Sequence, residues 1–118
     1  MRIGELAARA GVSVRALRYY EEQALLYSER SGSGQRQYAE AAVERVQLIQ
    51  HFYSAGLASR TIKDLLPCLE TGTATPSQLT LMLVERERID EQIEALNRAR
   101  TRLHSVIEAA LPPATSVT

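Results

Sequence analysis

Between Pro76 and Pro112 the 118-residue chain contains neither glycine nor proline, and this uninterrupted stretch constrains the fold more than any other. Thr75-Pro76-Ser77-Gln78 opens it with an N-cap threonine, a proline at the first helical position and a capping-box glutamine; Pro112-Pro113 prevents continuation. A helix over residues 76–111 is roughly 50 Å long, longer than a small globule can cover. Met82, Ile89, Leu96, Leu103 and Ala110 recur every seven residues, and Leu79, Ile93 and Ile107 fall on the alternate seam position, which is a coiled-coil pattern. The simplest partner is a second copy. A helix folded back on its own domain is the competing arrangement, and it is weakened because the seam runs far past any core the remaining residues can build.

The seam also carries an orientation signal. Its second position reads Leu79, Arg86, Ile93, Arg100, Ile107, so in a parallel dimer each arginine meets its own copy across the axis. An antiparallel pair sets these positions beside other seam residues and lets each arginine reach water, or Asp90 in the case of Arg86. Leu81, Leu83 and Val84 lie off the seam and are expected to pack against a head domain, the partner's being one candidate.

The head begins with two helical segments. Ile3, Leu6, Ala7 and Ala10 have helical spacing, Gly11-Val12-Ser13 breaks the period, and Ser13 can cap a second helix through Glu21. Val14 and Leu17 can face a core, while Arg15 and Arg18 share another face beside Tyr19 with no acid before Glu21. An arginine fork suits guanine edges and phosphates alike, so helix, tight turn and arginine-bearing helix have the layout of a helix-turn-helix unit. A solvated arginine face on a helical hairpin is the bland alternative. Two short segments around Ser31-Gly32-Ser33-Gly34 then suggest a hairpin or wing, with Gly32 and Gly34 supplying positive-φ positions and Arg30, Arg36 and Tyr38 on the flanks. Helical spacing returns over residues 39–53, with Val43, Val46, Ile49 and Phe52 or Tyr53 on one stripe. Gly56 stops it, and a short helix follows over residues 59–66 before Pro67.

Charge and cysteine content narrow the classes of function. The formal net charge of zero argues against wholesale polyanion binding and leaves room for a local patch: residues 13–20 hold two arginines and no acid, whereas acids crowd into Glu85 to Glu94. No long apolar run or signal-peptide segment occurs, so a cytoplasmic chain without membrane contact is expected. Cys68 is the only cysteine, which excludes an intrachain disulfide, a CxxC pair and a multi-cysteine zinc site. No HExxH, GxSxG or phosphate-cradling glycine loop is present, and His51 and His104 sit in different helices; neither catalysis nor a metal or cofactor is expected.

Taken together, Ile3-Gly4-Glu5-Leu6-Ala7, Gly11-Val12-Ser13, Leu17-Arg18-Tyr19-Tyr20-Glu21, Arg36-Gln37-Tyr38, Arg45 with Ile49, and Gly56-Leu57 leading to Ile62 resemble the MerR family of bacterial transcription regulators. The resemblance covers about residues 2–69. It implies a mainly α chain: a winged helix-turn-helix DNA-binding domain over residues 1–70, a linker over 71–75, an antiparallel coiled-coil dimerisation helix over 76–111 and a short tail over 112–118. Carried onto this chain, Arg15, Arg18 and Tyr19 would be groove and adjacent phosphate contacts and Arg36 and Tyr38 wing contacts, with Ser13 and Tyr20 completing the DNA-binding set. Met82, Ile89, Ile93, Leu96, Leu103 and Ile107 would form the dimer seam. Gln35 stands where an aromatic is common, and Ala58 replaces the usual serine cap.

The function implied is a homodimer that binds a palindromic promoter operator in double-stranded DNA and acts, with RNA polymerase, by bending and untwisting it. The family's metal-sensing branches carry clustered cysteines near the end of the dimer helix, and none stands there in this chain. Only residues 112–118 follow the coil, so a small member without a large effector domain is expected. The rival reading is a coiled-coil adaptor that binds protein and no specific DNA. Cys68 is the candidate sensor position, against the simpler expectation of a small apolar side chain packed with Leu65, Leu66 and Leu69 where a helix ends.

Overall fold

A computed structural model describes residues 1–30 and 32–113. The elements in order are α1 (Ile3–Ala10), α2 (Val14–Glu22), β1 (Glu29–Arg30), β2 (Arg36–Gln37), α3 (Ala41–Ser54), α4 (Ser59–Thr71) and α5 (Pro76–Ala110). The fold is mainly α, a winged helix-turn-helix followed by a long helix. It divides into two compact units, Met1–Leu79 and the chain from Thr80 onward.

In the first unit each helix buries one stripe and is stopped by a residue that suits the stop. α1 turns Leu6, Ala7 and Ala10 inward, and Gly11 at φ 75° ends it. The amides of Gly11 and Val12 both reach the Ala7 carbonyl at 3.0 Å, closing a turn whose left-handed backbone favours glycine. Ser13 then caps α2, its hydroxyl oxygen accepting the Ala16 amide at 3.0 Å. Leu17 and Tyr20 form the buried stripe of α2. That helix ends in a Schellman motif, the Leu25 amide on the Tyr20 carbonyl at 2.9 Å and the Ala24 amide on the Glu21 carbonyl at 3.0 Å. The left-handed position falls on Ala24, at φ 60°, instead of a glycine. The burial of Leu25 and Leu26 directly after it holds that strained residue in place.

α1 packs on α2 and α3, and α3 on α4. Leu6, Leu17, Leu25, Val46, Ile49, Ile62 and Leu66 are the large side chains at the centre, an aliphatic core as the low aromatic content implies. Gly56, at φ 87°, stops α3 and passes the chain to buried Leu57. Ala58 gives α4 no side-chain cap, yet the helix starts at Ser59.

The end of α4 corrects the sequence reading. The helix does not stop at Leu66 but continues through Pro67 to Thr71, where Gly72 at φ 68° caps it by donating to the Cys68 carbonyl. Pro67 removes one amide from the ladder, and the three leucine and isoleucine side chains buried before it hold the helix regardless. The connector therefore begins at Gly72. The capping box that opens α5 forms as expected: Gln78 Oε1 accepts the Thr75 amide at 2.8 Å while Thr75 Oγ1 accepts the Gln78 amide at 3.1 Å. The other end of the Gln78 amide donates to the Asp64 carbonyl, so one side chain ties the first turn of α5 to α4.

Along the second unit, α5 is supported by pairs one turn apart, Arg88 with Glu85 at 3.0 Å and Arg98 with Glu94 at 3.8 Å. The Arg86 to Asp90 pair is not among the ion pairs of the described residues. Ile93, Leu96, Leu103 and Ile107 are exposed, Leu96 at 70%, and Met82 and Ile89 are half-buried.

Candidate nucleic-acid interface

The unburied face of α2 is what the arginine spacing predicts. Arg15 and Arg18 are exposed, and Tyr19 beside them is 46% exposed. The wing lies near the C-terminal end of that helix. Its strands pair antiparallel with Glu29 opposite Gln37 and Arg30 opposite Arg36. Gly34 at φ 84° makes the turn, and Arg30 Nη1 donates to the Gly34 carbonyl at 2.9 Å. Ser31, the first residue of the expected loop, lies outside the described residues.

One carboxylate joins wing to helix. Glu21 Oε2 takes Arg36 Nη1 at 3.1 Å, and Glu21 Oε1 accepts the Tyr38 hydroxyl. Arg18, Glu21, Glu22, Arg36 and Ile3 line a cleft of about 620 Å³, so the arginines of helix and wing face one space. Burial pushes the Tyr38 phenol above its ordinary pKa, and the hydrogen bond and charge of Glu21 push the same way against Arg36; at neutral pH the phenol is a fixed donor.

Two expected contacts are corrected. Tyr20 is 7% exposed and Tyr38 3%, so neither offers a surface to DNA. Tyr20 stacks on Tyr53 with ring centroids 5.7 Å apart, and burial raises its phenol pKa, with Tyr53 adding to the shift. Tyr38 is committed to Glu21. Both lie inside the head and not on its exposed face. Tyr53 also meets Tyr19 at 6.3 Å and hydrogen-bonds Ser59, linking the arginine-bearing helix to the start of α4. The sequence placed Tyr53 only on an apolar stripe, and a hydroxyl on such a stripe was the available signal. Arg45 serves as a second tie: Nε reaches the Leu25 carbonyl at 2.8 Å, Nη1 reaches Glu70 at 2.7 Å, and the guanidinium lies over the Tyr27 ring.

Substituting Arg18→Ala should cost about 1 to 3 kcal/mol of specific binding, with a smaller loss for Arg15→Ala. Titration of both variants, checked for folding by circular dichroism, tests the face; unchanged affinity in both removes it. Cys68 is half-buried in the last turn of α4, its carbonyl taking the capping bond from Gly72, and Leu69, expected to pack with it, is exposed. Native thiol labelling is still expected to be much slower than labelling in urea. Fast native labelling that alters DNA binding, absent in Cys68→Ser, would make this residue a sensor. Among the described residues no three side chains are grouped to hold a metal, and no helix is long and apolar enough to cross a membrane.

An arginine-bearing second helix braced by a hairpin wing defines a winged helix-turn-helix protein, and the class is that of DNA-binding transcription regulators. The family model described as MerR HTH family regulatory protein matches residues 1–68, and the chain belongs to that family. It is 29% identical over 110 residues to the HTH-type transcriptional regulator HmrR of Rhizobium leguminosarum bv. viciae, covering 92% of this chain and 85% of that one. It is 32% identical over 99 residues to the HTH-type transcriptional activator mta of Bacillus subtilis (strain 168), covering 81% of this chain but only 38% of that longer protein. The crystal structure of HiNmlR, a MerR family regulator lacking the sensor domain and bound to promoter DNA, superposes with a TM-score of 0.76 at 24% identity, covering 91% of this chain and 86% of that one. These relatives are transcription regulators, not enzymes.

Proposed function

We propose that the chain acts as a cytoplasmic homodimer that reads a palindromic promoter operator and regulates transcription by distorting the DNA, with RNA polymerase as the onward partner. The observation that carries this is the joint exposure of Arg15, Arg18 and Tyr19 on α2 beside Arg36 on the wing, which Glu21 of α2 holds by an ion pair. Two heads would be spaced by α5, paired antiparallel through Met82, Ile89, Ile93, Leu96, Leu103 and Ile107 so that Arg86 and Arg100 avoid their own copies. The exposed apolar seam supports that pairing, and HiNmlR on promoter DNA supports the DNA target. Twisting the operator would draw its energy from phosphate contacts on both heads.

Selection of bound duplexes from a random pool, followed by footprinting, tests the reading. An inverted repeat protected on one face, with affinity falling steeply as salt rises, is the expected result. A dimer that enriches no sequence but captures a protein partner would establish the adaptor instead.

A further inference from the structure

The hairpin that bears Arg36 pairs only two residues on each strand, too little to fix its own position against the head. Glu21 supplies the missing restraint. Arg36 and Tyr38 stand two apart along an extended segment and so project to one side. Each donates to a different oxygen of the Glu21 carboxylate. The clamp is sheltered, since the Glu21 side chain is only 17% exposed. On a surface that meets DNA an anion is unfavourable, because it repels the phosphates. The last turn of a helix disfavours a carboxylate, and this one sits between Arg18 and Arg36 in the cleft that would face phosphates.

We propose that Glu21 is the positioning residue of the wing: it fixes β2 to the reading helix so that Arg36 meets the DNA backbone at a set distance from the base contacts of Arg18. This rests on the DNA-binding reading above. It makes a prediction opposite in sign to electrostatics, because removing an anion from a DNA-facing cleft should tighten binding if charge alone governs it.

The experiment uses the full chain and two probes, a duplex that the wild type selects from a random pool and a scrambled duplex of the same composition. Glu21→Ala is expected to weaken binding of the selected duplex roughly tenfold and to weaken the scrambled one by no more than that. The slope of log affinity against log salt should fall by about 1, as in Arg36→Ala, and no further in the double variant. A purely structural defect does not reproduce that shared slope. Glu21→Gln, which keeps an oxygen for Tyr38, should recover part of the loss, and Tyr38→Phe, which keeps the buried ring, should lose a smaller part. Thermal melts of each variant accompany the titrations. Glu21→Ala binding the selected duplex as tightly as wild type or tighter, or an unchanged salt slope, overturns the clamp. A wild type that selects no duplex sinks the regulator reading, and the clamp with it.

Discussion

Truncation after Leu79 should leave a monomer whose affinity for the operator is lower by a factor of about 100 to 10,000. The estimate follows from tethering: once one head has bound, the second searches only the volume that the paired helices allow. Cutting at Leu79 spares the Thr75–Gln78 capping box and the Gln78 bond to α4, both of which belong to the first compact unit. Sedimentation should give the mass of one chain, and circular dichroism should show the head still helical. A truncated chain that stays dimeric, or binds within threefold of wild type, removes α5 as the source of avidity.

Leu17→Ala should destabilise the head by about 2 to 5 kcal/mol, against a total of about 5 to 15 kcal/mol for a typical domain. Leu17 is fully buried on the inner face of α2, directly behind Arg15 and Arg18. Its loss leaves a cavity at the helix that carries the reading face, so operator affinity should fall with stability. Urea denaturation with an unchanged slope measures the first effect. A loss below about 1 kcal/mol would mean the site collapses freely and that Leu17 is not central to the core.

What the sequence disclosed and what it hid divide along a physical line. Local chemistry was readable: Ser13 and Thr75 cap as their side chains dictate, Gly11 and Gly56 close helices, and spacing put Arg15 and Arg18 outward and Leu17 inward. Long-range partners were not. Tyr20 and Tyr38 have the composition of contact residues, and nothing in the nearby sequence reveals that Tyr53 and Glu21 wait for them. Pro67 misled for a related reason, since the local rule against a helical proline yields to burial of Ile62, Leu65 and Leu66. Ala24 is a smaller instance, a left-handed residue that no sequence rule would place on alanine.

The exposed seam of α5 has a consequence for the cell. Leu96, Leu103 and Ile107 are exposed on the single chain, so in the proposed dimer every favourable contact along them would depend on the concentration of the chain itself. The number of copies would then become an input to the promoter. Dilution by growth would silence such a regulator without any ligand, by returning it to single heads that release the operator one at a time.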